Sequence, residues 1–219
     1  MADAPSRKDL ERWLRSLAID ELCVRVDPFE PGLADVLYDE PVTRGTYDAE
    51  ADAAEAARHG LDVGFHSRWL HARRLRDEGR TVLVGGPWLA SEAPTPFELD
   101  GRHYASVAAF YAALKLRDDD PEREAVARGR GGRSRRIRPA WRDAFEYDGR
   151  RVAIGSPMHG GLVARATEAK VAAHAEVRRA LATTGRSLLY MGGRYGRGPQ
   201  ALGRYMPFAL MVLRLRHAG

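Results

Sequence analysis

The stretch GPWLASEAPTPFELDGRHYASVAAFYAALK, residues 86–115, decides the fold of this chain. Its PFELDGRHY portion alternates apolar and polar residues around Asp100-Gly101, a dipeptide typical of tight β-hairpin turns. Ser106 then precedes VAAFYAALKLR, whose apolar spacing predicts a helix with a serine N-cap, and Pro121 lies beyond its end. A hairpin followed directly by a helix predicts a mixed α+β domain.

The flanking sequence extends this pattern in both directions. TVLVGG, residues 81–86, predicts a strand that ends in glycines, and SLLYM, residues 187–191, predicts another. TEAKVAAHAEVRRALATTG, residues 167–185, predicts one long helix or two, ended by Thr-Thr-Gly. We therefore predict that residues 81–219 form a single, mainly helical α+β domain with a small sheet or hairpin elements.

Residues 1–80 predict an N-terminal helical accessory segment. Ser6 and the following RKDLERWLRSLA predict a capped amphipathic helix, and the alternation in LCVRV, residues 22–26, predicts a short strand. Two further helices are expected over residues 48–59 and 67–77. The segment holds no metal or nucleotide motif, so binding a protein partner is one role that it would suit.

Charge is distributed unevenly along the chain. The 219 residues carry a formal net charge of +5. Residues 1–100 hold 12 Lys and Arg against 20 Asp and Glu, whereas residues 101–219 hold 23 against 10. The basic second half favours an anionic partner such as phosphate, a nucleotide or nucleic acid. Attraction between the two halves is the other explanation.

Composition limits the class of protein. No segment approaches the roughly 18 consecutive apolar residues of a membrane span, and the first residues lack the apolar core of a secretory signal. Cys23 is the single cysteine, which excludes an internal disulfide framework and cysteine-based zinc clusters. The histidines show no metal-ligand spacing, and His159 beside Gly160-Gly161 is expected in a loop. We expect a cytoplasmic protein that needs no membrane, metal or cofactor.

Lysine is scarce and therefore informative. It occurs only at Lys8, Lys115 and Lys170, and every other basic side chain is arginine or histidine. A lysine amine can lose its proton and act as a nucleophile, which a guanidinium cannot. Lys115 is the main candidate, either as such an amine or as a phosphate contact. A solvated lysine favoured by the dipole of its helix is the structural alternative.

Taken together, these stretches resemble the NADAR family, whose members act as N-glycosidases on ribosylated and ADP-ribosylated bases. The resemblance begins at about residue 82, and five motif pieces occur in the family's order. The matching pieces are Ala93-Pro94 and Pro96-Phe97 with Leu99-Asp100-Gly101, Ser106 with Tyr111 and Lys115, Gly129-Arg130 with Ile137-Arg138 and Trp141, Glu168-Ala169-Lys170 with Thr184-Gly185, and Gly198-Pro199-Gln200-Ala201-Leu202-Gly203.

The resemblance implies a hydrolase that cleaves the N-glycosidic bond of an ADP-ribose or ribose-phosphate conjugate. Examples are ADP-ribosylated guanine, free or on nucleic acid, and an intermediate of riboflavin synthesis. Lys115 is implied as the catalytic residue, with Arg138 and its neighbours on the phosphates and Trp141 stacking on the base. The residues implied in substrate binding are Arg130, Arg138, Trp141, Tyr111, Ser106 and Gln200.

Several positions depart from the family pattern and keep a second hypothesis open. Ala108, Ala112 and Ala140 stand where the family has polar side chains, and Tyr190 stands where it has an acid. The alternative is a binding module for ADP-ribose, a nucleotide or modified nucleic acid. A carboxylate beside the Lys115 amine would favour the hydrolase, because base release needs a proton carrier. The candidates for that carboxylate are Asp143, Glu146, Glu168 and Glu92.

Overall fold

The computed structural model describes residues 6–26, 33, 36–38, 81–129, 143–191 and 201–217. Within them the helices are α1 (Arg7–Ser16), α2 (Ile19–Arg25), α3 (Gly86–Leu89), α4 (Val107–Ala113), α5 (Glu122–Ala127), α6 (Pro157–Ala173), α7 (Ala175–Ala182) and α8 (Ala201–His217). The strands are β1 (Thr81–Leu83), β2 (Phe97–Leu99), β3 (Arg102–Tyr104), β4 (Ala144–Tyr147), β5 (Arg150–Ala153) and β6 (Leu188–Tyr190). This mixture confirms the predicted α+β class.

The described strands form three two-stranded sheets. β1 and β6 pair in parallel, with Val82 opposite Leu189, so the two strands predicted at residues 81–86 and 187–191 lie side by side. β2 pairs with β3 and β4 with β5, each pair antiparallel. Two parallel strands need a long connection between them, and here that connection runs from the end of β1 at Leu83 to the start of β6 at Leu188.

Both hairpins turn on an Asp-Gly dipeptide. Asp100 and Gly101 have φ of 51° and 72°, and Asp148 and Gly149 have φ of 50° and 69°. Positive φ at both central residues is the geometry that matches a two-residue loop to the twist of its strands. The first hairpin is confirmed as predicted. The second carries the same signal in EYDGRR, which the sequence analysis did not use.

Helix α6 is the central element of the fold. It packs against α8, α2, β2, α4 and α7, and its buried residues surround the helix instead of forming one stripe. Ser156 caps it by accepting a hydrogen bond from the His159 amide, and Pro157 follows at the position where a missing amide costs nothing. The prediction that His159 and the two glycines after it lie in a loop is wrong, because they form the first turns of this buried helix.

The N-terminal residues are helical where the structure describes them. Ser6 caps α1 as predicted, accepting from the Asp9 amide, and Leu10 of this helix is buried. The predicted strand over residues 22–26 is wrong, because these residues belong mostly to α2. Its buried residues Ile19, Leu22 and Cys23 are spaced as on one helical face, which packs on α6.

Two arginines of α8 connect the C-terminal helix to the N-terminal region. The Arg216 guanidinium donates to the carbonyls of Leu14 and Leu17 at 2.7 and 2.6 Å. Arg214 donates to the Leu37 carbonyl at 2.9 Å and to the Thr184 hydroxyl at 2.8 Å. Charged donors on backbone carbonyls are the stronger kind of hydrogen bond, so these contacts hold α1 and the residues after α2 against the domain.

Local signals fix two further boundaries. The Ser106 hydroxyl accepts from the Ala109 amide at 3.1 Å and caps α4, as predicted. Of the one or two helices expected over residues 167–185, the structure has two, because His174 adopts an extended backbone between α6 and α7. Over the part of the chain that the structure describes, no helix combines the length and apolarity needed to cross a membrane. The helices predicted over residues 48–59 and 67–77 lie outside the described residues.

Candidate functional site

Lys115 lies just past the end of α4, in the turn that leads toward α5. Its amine nitrogen is 5.7 Å from the centre of the Tyr111 ring, one helical turn earlier. The side chain is half-buried, and burial lowers the pKa of its amine below the ordinary lysine value of 10.5. Removing water from around an ammonium disfavours the charged form, so this amine releases its proton more readily than a solvated lysine.

The carboxylates considered as partners for this amine, Asp143, Glu146, Glu168 and Glu92, form no described ion pair with it. Among the described residues, none forms an ion pair with Lys115. Glu168 pairs with Arg216 at 3.1 Å. Glu92 accepts a hydrogen bond from the Ser91 hydroxyl at 2.7 Å. Its negative charge also acts on Lys170, where it partly opposes the lowering of the pKa by burial. The amine of Lys115 is therefore shielded from water without a described counter-ion.

Tyr111 is held by a stack of rings. The His159 ring lies parallel to it, with an interplanar angle of 8° and centroids 5.4 Å apart. Phe145 meets the same imidazole edge-on at 4.8 Å. The stack joins α4, β4 and α6 and fixes the ring beside which the Lys115 amine lies. His159 therefore covers part of one face of the Tyr111 ring.

His159 is a buried, neutral histidine. Its Nδ1 accepts a hydrogen bond from the Gly155 amide at 3.1 Å, which places the remaining ring proton on Nε2. The side chain is 3% exposed, and burial lowers its pKa from 6.5 to about 4. His159 was expected in a loop and was not among the predicted site residues. The Ser156-Pro157 pair before it, a common helix start, is the signal that would have placed it in a helix.

This depressed pKa predicts acid lability. Unfolded His159 binds a proton near pH 6.5 and the folded residue only near pH 4, so the unfolded chain binds more protons between these values. Folding stability therefore falls as pH falls through this window, by up to about 3 kcal/mol from this residue. In urea titrations at pH 7, 6, 5 and 4, we expect His159→Gln to flatten that decline.

The exposed His103 provides the matched control for this experiment. Its side chain is 71% exposed, so His103→Gln should leave the pH dependence of unfolding as in the wild type. Glutamine at position 159 retains an oxygen that can accept from the Gly155 amide, which limits the damage to folding. Parallel stability curves for the wild type and His159→Gln between pH 6.5 and 4 would contradict the prediction.

The other predicted binding residues fall into two groups. Ser106 is 8% exposed and its hydroxyl oxygen accepts from the Ala109 amide, so the structure assigns it to the start of α4. Tyr111, in α4, lies beside Lys115, which follows the end of that helix. Arg130, Arg138, Trp141 and Gln200 lie outside the described residues.

Lys170 is a second unusual lysine, and it was not among the predicted site residues. It is fully buried in α6, and its amine donates to the Ala90 carbonyl at 2.8 Å. Burial lowers its pKa to about 8, against the opposing charge of Glu92. A second contact joins the ring of His174, the residue after α6, to the Pro96 carbonyl. Together the two contacts hold the segment before β2 against α6 and His174. The scarcity of lysine is the signal that marks it.

The described residues favour neither a metal site nor a reactive cysteine. These residues contain no group of three His, Cys, Asp or Glu side chains able to hold a metal ion. Cys23 is buried between α2 and its neighbours, and burial raises the pKa of its thiol to about 12. A thiol with so high a pKa is a poor nucleophile, because the thiolate is the reactive form.

Comparisons with known proteins add no relative. No protein-family model, no curated protein and no solved structure matches this chain. The functional proposal therefore depends on the motifs of the sequence and on the geometry around Lys115.

Proposed function

We propose that this chain is a divergent NADAR-type hydrolase that cleaves the N-glycosidic bond of an ADP-ribose or ribose-phosphate conjugate. The observation that carries the proposal is the Lys115 amine, which is half-buried beside the Tyr111 ring and has a lowered pKa. A half-buried lysine whose pKa is lowered loses its proton more readily than a solvated one, which favours nucleophilic attack. The ordered family motifs supply the substrate class.

In the proposed reaction the neutral amine of Lys115 attacks the anomeric carbon of the ribose. A bond forms between Nζ and C1′ as the C1′–N bond breaks, and the electron pair of the broken bond leaves with the base nitrogen. The base takes up the proton that Nζ loses on becoming a secondary amine. Water then attacks C1′ as the C1′–Nζ bond breaks, and Nζ regains its electron pair and takes one proton of the water, which restores the neutral lysine. The sum is hydrolysis to a free base and a sugar with a new hydroxyl group.

The surrounding residues position the reacting groups in this scheme. His159 and Phe145 hold the Tyr111 ring, which limits where the Lys115 amine can lie. The arginines implied by the resemblance, Arg130 and Arg138, would pair with the phosphates of the substrate. Trp141 would stack on the base and Gln200 would donate to the sugar or base.

A binding module for ADP-ribose is the second candidate, and one observation favours it. No described carboxylate pairs with Lys115, so no described carboxylic acid can protonate the leaving base. A half-buried cation that pairs with no described carboxylate would suit a phosphate oxygen just as well. In that case Lys115 remains charged in the complex, and the chain recognises the nucleotide without cleaving it.

One experiment separates these proposals. The purified chain is incubated with DNA carrying ADP-ribosylated guanine and, separately, with ribosylated intermediates of riboflavin synthesis, and released base is followed by chromatography. Binding of ADP-ribose is measured by calorimetry in parallel. Base release supports the hydrolase. Binding without release, lost in Lys115→Ala, supports the binding module, and the absence of both contradicts the two proposals together.

A further inference from the structure

A cleft of about 420 Å³ lies on the face formed by α2, α6 and the two hairpins. Helix α2 contributes Asp20, Glu21 and Val24 to its lining, and α6 contributes Met158. Its volume lies within the range of clefts that hold ligands or peptide side chains. The lining includes neither Lys115 nor Tyr111, so this surface is separate from the candidate site described above.

The cleft exposes apolar side chains that the fold does not cover. Val24 is 66% exposed and Met158 is 51% exposed. With Trp88 they are the large hydrophobic side chains that are exposed in the described parts of the chain, and two of these three line the same cleft. Isolated exposed hydrophobic residues are common, but two that share a cleft mark a surface suited to binding.

The rim of the cleft carries an excess of negative charge. Asp100 accepts from Arg165 at 2.5 Å and from the Tyr147 hydroxyl at 2.7 Å, so this carboxylate is already neutralised. The other lining carboxylates, Asp20, Glu21 and Asp148, form no ion pair with any described residue. Arg150 is the remaining lining cation.

The uneven charge selects the sign of the partner. Among the described residues that line the cleft, these three carboxylates and Arg150 leave an excess of two negative charges. The chain as a whole has a net charge of +5, so the charge of this cleft is opposite in sign to that of the whole chain. Such a local excess attracts cations and repels phosphate, which favours a basic occupant over nucleic acid.

We propose that this cleft docks a short basic segment of a partner polypeptide, in which lysine or arginine side chains alternate with apolar ones. The apolar side chains contact Val24 and Met158, while the basic side chains lie against Glu21 and Asp148. Alternation matters because the cleft is lined by both apolar and acidic side chains. This function is independent of any chemistry at Lys115.

Anisotropy measurements with a fluorescein-labelled Lys-Leu-Lys-Leu-Lys-Leu peptide test the proposal on the full chain. We expect the peptide to bind, and its affinity to fall as salt is added. The double variant Glu21→Gln, Asp148→Asn should weaken binding about fivefold to tenfold. Asparagine suits position 148 because it tolerates the positive φ of that turn. Met158→Ser should also weaken binding, by removal of an apolar contact.

Matched controls make the result decisive. Glu98→Gln, Asp143→Asn removes two exposed carboxylates outside the cleft and should leave peptide affinity unchanged. Equal affinity for a Gln-Leu peptide or a Lys-Ser peptide overturns the proposal, as does an equal effect of the cleft and control variants. Displacement of the peptide by spermine at matched charge would identify a small organic cation as the occupant. Self-association of the wild type that the cleft variant abolishes would identify a second copy of the chain.

Discussion

Replacement of Lys115 by methionine is expected to abolish base release, with kcat reduced by about 10³-fold or more. Methionine is close in length and tolerates the half-buried position beside Tyr111, so the change removes the amine without opening a large cavity. The measurement is the rate of base release under saturating substrate, with urea unfolding to confirm that the variant is folded. A variant that retains a tenth of the wild-type rate would rule out Lys115 as the nucleophile.

Arginine at the same position separates the two roles of the lysine. Lys115→Arg keeps a positive charge for a phosphate but cannot lose a proton or attack carbon. We expect it to retain ADP-ribose binding within a few fold while base release is lost. Lys8→Met, which removes an exposed lysine of α1, is the matched control and should behave as the wild type. Equal loss of binding in Lys115→Arg and Lys115→Met would favour a contact specific to the ammonium group.

Short-range sequence signals predicted much of the local structure. The turn at Asp100-Gly101 and the cap at Ser106 each depend on a few neighbouring residues, and both occur as predicted. The one-turn spacing of Tyr111 and Lys115 on a predicted helix likewise places them together. These features need no knowledge of the rest of the chain.

Structural features that depend on contacts between residues far apart in sequence were not predicted. The alternation in residues 22–26 resembles a strand, yet packing of Leu22 and Cys23 on α6 selects a helix. His159 becomes a buried stacking residue only because Tyr111 and Phe145 come from two other elements. Likewise, nothing near Lys170 in sequence indicates that its amine bonds to a carbonyl 80 residues away.

The glycines of α6 show the same dependence on long-range packing. Glycine is unfavourable inside a helix by about 1 kcal/mol relative to alanine, so a Gly-Gly pair normally indicates a loop. Here the pair lets two other helices approach. A Cβ atom at Gly160 would lie 2.3 Å from the Tyr205 ring of α8, and one at Gly161 would lie 3.0 Å from the Asp20 Cβ of α2. The two glycines thus lower the helix propensity of α6 but allow α8 and α2 to pack closely against it.

Gly160→Ala is therefore expected to destabilise the fold by at least about 2 kcal/mol, despite the better helix propensity of alanine. Tyr205 is 2% exposed within the core, so its ring cannot move aside without a shift of α8 against α6. Urea unfolding measures the loss. Gly161→Ala is the matched control, and its smaller clash with Asp20 should cost less than the change at Gly160.

A second variant tests whether the Tyr205 ring is the cause of this loss. If it is, Gly160→Ala should be far less damaging in a Tyr205→Leu background than in the wild type, because the two changes act on one contact. Additive losses in the double variant, or equal stability of Gly160→Ala and the wild type, would contradict the close approach. Because His159 immediately precedes this glycine, a shift of α6 would also move the imidazole from Tyr111. We therefore expect any base release or ADP-ribose binding at Lys115 to weaken in Gly160→Ala and to recover with the second change.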